Sequence, residues 1–264
     1  MATPIPQQRK QLQGVHCDQD HYQKVIKTYY QHTDHHEALE KWTEEEFDSN
    51  VVKVLSEKFG DKLDDQPLHV LGLGSSEGYQ EILQLRKLKP KFPKISTTVI
   101  EPSTERISIY QETVNQNCSD FTGIEYEWHN QTFQEYIMQY TGAQKKYHFI
   151  TIIHAMYFLG DVEQAVRNLF ELLEPGGIIF MVLATDDSGI GKLSLTFPDL
   201  HKAPTTPELL STKTNQVTTS RDVKSVLSKY HMAYSQSSYT ESSDITTFFS
   251  PKRNQLRPNF CWML

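Results

Sequence analysis

Between residues 67 and 185, apolar runs alternate with helical patterns, and nothing else in the sequence restricts the fold so strongly. "LHVLGLG", "KISTTVIEP", "GIEYEWHN", "YHFITIIHAMYF" and "PGGIIFMVLAT" read as strands. Helices are expected between them: over 79–88, over "STERISIYQETVNQN" with Ser103 opening it, over 132–140, and over 161–173. The last places Val162, Ala165, Val166, Leu169, Phe170 and Leu173 on one face. Five βα repeats with short connections imply an α/β protein with a mostly parallel central sheet and helices on both faces.

The flanks are organised differently. Residues 1–18 read as a flexible arm and 19–62 as a helical cap. Within the cap, Tyr22, Val25, Ile26, Tyr29 and Tyr30 recur at helical spacing from Asp20. A second helix is expected from about Asp34 to Phe59, stopped by Gly60. The core spans 63–185. Residues 186–264 form a substrate-side region: a Ser-, Thr-, Pro- and Lys-rich excursion to 217, a helix at 220–230, a strand at 232–240 and a tail.

Bulk properties narrow the partners. A net charge of -7 over 264 residues argues against nucleic acid, which selects for clustered Lys and Arg. The basic run "RKLKPKFPK" reads as a solvated connection. Cys17, Cys118 and Cys261 form no CxxC pattern and no disulfide framework, so a reducing, cytoplasmic setting is expected. No apolar stretch approaches the ~20 residues of a membrane span. His32 and His36 stand at i and i+4 but lack a third ligand, so a solvated helix face and no metal are expected.

The stretch "HVLGLGSSEGYQEILQL" carries the chemistry. Glycines between a strand and a helix let a ligand approach the backbone and the free N–H groups of the helix start. A nucleotide-triphosphate loop needs GK[ST], whereas Tyr79 and Gln80 follow Gly78. Gly72, Gly74 and Gly78 make G-x-G-x-x-x-G, one residue longer than the dinucleotide pattern. That spacing suits S-adenosyl-L-methionine, which has no pyrophosphate to clamp; a plain tight turn is the alternative. Glu101 ends the second strand in "VIEPS", where a carboxylate can accept from both ribose hydroxyls or cap the next helix. In "LFELLEPGGIIFMVL", Pro175 stops a helix and Gly176 and Gly177 permit the reversal into a strand.

In this order, the glycine loop, the acidic strand end and the L-L-E-P-G-G turn resemble the class I S-adenosylmethionine-dependent methyltransferases, with their Rossmann-like fold, over about residues 65–185. "YYQHTDHHE", "VIEPSTERI", "YEWHNQT" and "FITIIHAMYFLGD" further resemble the histamine N-methyltransferase family from about residue 20 to about residue 248. That resemblance implies direct in-line methyl transfer to a ring nitrogen of a small imidazole-containing amine, by a monomer that binds neither nucleic acid nor membrane. It implies cofactor contacts at Gly72, Gly74, Gly78, Glu101, Arg106, Thr132, Phe133 and Ile153. It places the substrate between the N-terminal helices and the end of the fourth strand, with His154 and Tyr157 as catalytic residues and His35 and His154 on the substrate. His35 stands where the family carries a glutamate, His154 and Arg106 where it carries glutamines. The family's final segment has no clear counterpart after Pro251. Losing a carboxylate removes the obvious partner for a cationic amine. A different small molecule, such as a carboxylated imidazole, or a non-catalytic methyltransferase-like binding protein are therefore the alternatives. A nicotinamide-linked dehydrogenase would require the loop to hold a pyrophosphate.

Overall fold

The computed structural model describes residues 27–28, 31–63, 65–139, 145–196, 218–240 and 242. Strands β1 (Leu68–Leu73), β2 (Ile95–Ile100), β3 (Ile124–His129), β4 (Tyr147–Ile153) and β5 (Leu173–Val182) form one sheet in the order β3-β2-β1-β4-β5. Every neighbouring pair is parallel. The chain winds outward from β1 to β3, then returns to the other side of β1 for β4 and β5. The order therefore switches between β1 and β4, where doubly wound sheets open a crevice beyond the carboxyl ends of their strands.

Alongside the strands run helices α1 (His35–Phe47), α2 (Lys53–Phe59), α3 (Tyr79–Leu88), α4 (Thr104–Gln116), α5 (Phe133–Gln139), α6 (Val162–Leu172), α7 (Gly189–Thr196) and α8 (Ser220–Lys229). Alternate residues of the two central strands feed separate cores. Leu71, Leu73, Ile150 and Ile152 pack with Ala165, Val166 and Leu169 of α6 and Val223 of α8. Val70 and Phe149 pack with Phe47, Leu55, Leu85 and Leu88. Burial on both faces explains why these strands read as continuous apolar runs. Side-chain caps start the helices as the sequence suggests: Ser103 accepts from the Arg106 N–H, and Asp161 accepts from the Gln164 N–H.

Four expectations change. The Asp34–Phe59 helix is two helices joined by a π-helical turn, Asp48–Val52. There the Ser49 and Asn50 side chains donate to the Glu46 carbonyl and compete with the regular backbone ladder. The fourth strand ends at Ile153 rather than Phe158. His154 takes a left-handed φ of 49°, and Met156–Phe158 form a 3-10 turn. The Glu-Pro-Gly-Gly turn lies inside β5: Leu173 already pairs with Tyr147, and the chain bulges before Ile178 pairs with Phe149. Residues 232–240 form no strand, because they lack an alternating apolar face and lie mostly exposed, tied to α1 by Trp42 Nε1 donating to Ser237 Oγ.

The expected arm 1–18, the first-helix residues Tyr22, Val25, Ile26, Tyr29 and Tyr30, and most of the excursion before residue 218 lie outside the described residues. Among the described residues, no helix is long and apolar enough to cross a membrane.

Candidate active site

Leu73 pairs with Ile100, so Gly74 and Glu101 leave adjacent strands side by side, about 5 Å apart by ordinary strand spacing. The Gly74 N–H donates to the Ile100 carbonyl at 2.9 Å. The turn that follows needs left-handed backbone at Gly74 (φ 63°), Ser76 (φ 52°) and Gly78 (φ 80°). A side chain at Gly74 would start 2.6 Å from the Cβ of Ala155, so the turn abuts the segment just past β4.

Glu101 is 6% exposed. Its carboxylate accepts from the Ser76 N–H and from the Ser103 N–H, each at 2.8 Å. The capping role is therefore present, and the same acid also faces the glycine turn. A carboxylate has about four lone-pair sites, so acceptor capacity for two ribose hydroxyls remains. The buried Arg106 guanidinium donates to Ser76 Oγ, which ties α4 to the same turn. These residues fit a nucleoside whose sugar lies between Gly74 and Glu101.

The other two glycines answer to the interior. A Cβ at Gly72 would stand 1.9 Å from Glu81 Oε2, and one at Gly78 would stand 2.3 Å from the Tyr110 ring. Thr132 and Phe133 follow β3 at the same edge of the sheet, where the Asn130 side chain donates to the Glu101 carbonyl at 3.0 Å. The Thr132 N–H and hydroxyl are engaged by Glu135, and the Phe133 ring is buried in the core. Ile153 ends β4, half-buried.

Across the turn the lining is imidazole. His154, whose N–H donates to the Val182 carbonyl at 3.1 Å, has its ring centroid 4.6 Å from that of His35 on α1. His35 is buried, and His36 lies 5.4 Å from it and 5.3 Å from Tyr79. His36 was expected on a solvated face; it is half-buried, because α1 lies over the start of α3. Burial, and then the neighbouring His35, push the His36 imidazole below its ordinary range. A hydrogen bond to Glu40 at 2.7 Å, with burial second, raises the Tyr79 phenol to about 12. Tyr157 lies in the 3-10 turn rather than on the strand, its ring 4.6 Å from Phe158.

The structure thus gathers Gly74, Ser76, Glu101 and Arg106 on one side of the turn and His35, His36, Tyr79 and His154 on the other. Ser75, Ser76, Tyr79 and Glu81 escaped sequence reasoning. Glu81 did leave a trace, since it shares the i, i+4, i+7 stripe of Leu85 and Leu88, where an acid is out of place.

Comparison with known proteins gives the family. Carnosine N-methyltransferase 2 of Gallus gallus is 25% identical over 234 residues, 87% of this chain and 68% of its own. Histamine N-methyltransferase of Danio rerio is 29% identical over 186 residues, covering 69% and 61%. That of Xenopus tropicalis is 25% identical over 182 residues, covering 67% and 59%. The chain therefore spans less than two thirds of the length of both histamine relatives. Residues 34–230, well over half of the 264, match the family described as a methyltransferase domain, and the chain belongs to this family of S-adenosylmethionine-dependent methyltransferases.

Proposed function

We propose that this protein transfers the methyl group of S-adenosyl-L-methionine to a ring nitrogen of a small imidazole-containing amine. The observation that carries the reading is the facing pair of His154 and buried His35, 4.6 Å apart, beside the turn whose Gly74 abuts Ala155. The relatives named for histamine and carnosine support it, since both compounds carry an imidazole. When bound, the donor would supply an electrophilic sulfonium methyl: the acceptor nitrogen would attack its carbon in line as the carbon–sulfur bond breaks, S-adenosylhomocysteine would leave, and the methylated ring would then lose its remaining N–H proton to solvent. The backbone at Gly74, the Glu101 carboxylate, Arg106, the 132–133 segment and Ile153 hold the donor. A neutral ring nitrogen is already nucleophilic, so these residues need little general base. Orientation by His154 and Tyr157, with His35 as the far wall, is their main contribution, worth up to roughly 7–11 kcal/mol of barrier.

His35 also favours a second reading, in which the acceptor carries a carboxylate. Three imidazoles stand where a carboxylate would be needed to hold a cationic amine. Incubation with radiolabelled donor and a panel of histamine, carnosine and histidine tests both. Transfer to histamine supports the first reading, and transfer confined to the carboxylated compounds supports the second. Transfer to no imidazole overturns both. The net charge of -7 agrees with an enzyme acting on small molecules rather than on nucleic acid.

A further inference from the structure

Beneath the cofactor turn lies a carboxylate that the roles assigned above do not use. Glu81, in the first turn of α3, is 4% exposed, and its Oε2 fills the space that a side chain at Gly72 would need. Ser75 Oγ, from the turn itself, donates to Oε2 at 2.6 Å, and Thr97 Oγ1 of β2 donates to Oε1 at 3.2 Å. Tyr110 of α4 and Tyr126 of β3 face the same carboxylate, and burial first and the Glu81 charge second push both phenols upward. The charge of Arg86, which pairs with Asp120, acts on Tyr126 in the opposite sense. The acid thus interlocks with Gly72, while the Tyr110 ring fills the space at Gly78.

We propose that Glu81 is a positioning residue for the cofactor: its ionised carboxylate holds the Ser75 hydroxyl and thereby fixes left-handed Gly74 and Ser76 beside Glu101. An ionised carboxylate only accepts, so the surrounding hydroxyls must donate to it, which sets the Ser75 rotor. A protonated Glu81 would itself donate one bond and release that constraint. Burial lifts this carboxyl from its ordinary 4.5 to about 7, so both forms are populated near neutrality. The sign for stability follows. A folded-state value above the unfolded one means that the free fold is favoured with the proton on, and that this contribution is lost as pH rises from 4.5 through about 7. Cofactor grip needs the charge, so it strengthens over the same window. The two dependences run in opposite directions, whereas a residue that only supports the fold would move them together.

The test measures S-adenosylmethionine binding by calorimetry, without acceptor, alongside thermal unfolding of the same full chains. It therefore rests on the cofactor and is independent of the acceptor proposed above. Wild type, Glu81→Gln, Ser75→Ala and the double variant are compared between about pH 6 and about pH 8.5, a range that brackets the titration. Glu81→Gln is expected to melt no lower than wild type at the upper pH. It is also expected to bind roughly tenfold more weakly there, the scale of one hydrogen bond to a charged group, with an affinity that no longer varies with pH. Ser75→Ala should lose a similar factor, and the double variant should be no weaker than the weaker single variant. A folded Glu81→Gln that keeps the wild-type affinity and its pH profile overturns the proposal, as does a parallel loss of melting temperature and affinity. Should Glu81→Gln fail to fold, an unchanged affinity in Ser75→Ala overturns it.

Discussion

A histidine pair lies at each end of the paired strands β1 and β4, and the two pairs differ in every respect but residue type. At the amino ends, His69 and His148 stack with centroids 5.5 Å apart and planes 11° from parallel. The His69 N–H donates to His148 Nδ1 at 2.9 Å, and the Phe59 ring lies 4.8 Å from His148. Both residues lie within strands, His148 opposite the bulge of β5. At the carboxyl ends, His154 has left the strand for a left-handed conformation that non-glycine residues rarely adopt, and it meets His35 edge-on at 66°. Strain of that kind, beside a crevice at the switch in strand order, is characteristic of functional positions. The end of the sheet, rather than the imidazole itself, separates the two pairs: the amino-end pair bridges neighbouring strands, and the carboxyl-end pair is the one that the proposed function places on the acceptor.

The sharpest way to break this contrast is His154→Asn. Asparagine tolerates the left-handed backbone, so the fold should survive while the ring is lost. Methyl transfer to the accepted imidazole is expected to fall roughly a hundredfold in kcat/KM, about 2.7 kcal/mol, with the melting temperature unchanged. Undiminished turnover would make the carboxyl-end pair as structural as the other. The converse substitution, His148→Leu, leaves the His69 N–H without its acceptor. Denaturant unfolding should show a loss of about 1–3 kcal/mol, and kcat/KM per folded molecule should hold. A smaller effect is expected from His35→Glu, which restores a carboxylate to the substrate wall. KM for a cationic imidazole amine should drop roughly tenfold, about 1.4 kcal/mol, and KM for a carboxylated imidazole should rise. If both shift alike, His35 does not select for substrate charge.

What could be read in advance follows the same division. The β1–α3–β2 unit was legible because local chemistry fixes it: an apolar run, glycines at the turn, an acid at the next strand end, and Ser103 at the helix start. Glu101 was found by that logic: its contact with the Ser103 N–H realises the helix-capping role, and its contact with the Ser76 N–H turns it toward the glycine loop. The end of β4 was not legible. "YHFITIIHAMYF" stays apolar through Phe158, and an apolar run cannot tell a buried strand from a buried 3-10 turn. Only the backbone reveals the break at His154. The apposition of His35 and His154 needs two segments more than a hundred residues apart to meet, and no spacing rule encodes that. Glu81 was hidden for a related reason. An acid on a buried stripe means something only once Ser75, Thr97 and Gly72 are seen around it.

The amino-end pair makes one further, smaller prediction, because its titration has a definite sign. Burial first, then the charges of Lys145 and His148, lower His69 from its ordinary 6.5 to about 4, and burial lowers His148 as well. The unfolded chain therefore takes up these protons before the folded one does. The stability they contribute is complete above pH 6.5, is lost as pH falls through that value, and has gone by about pH 4. Glu81 acts in the opposite sense over part of this range, so the net slope for wild type alone is ambiguous. The difference between wild type and His69→Gln is not: carboxylates such as Asp34 and Glu135, held low by backbone N–H groups of Ser242 and Thr132, titrate equally in both proteins and cancel. Urea midpoints measured from pH 7 down to about pH 4 should converge for the two proteins as the pH falls. If the two proteins instead kept a constant separation down to about pH 4, the amino-end pair would not be held neutral by its burial, and the structural role assigned to that end of the sheet would fail.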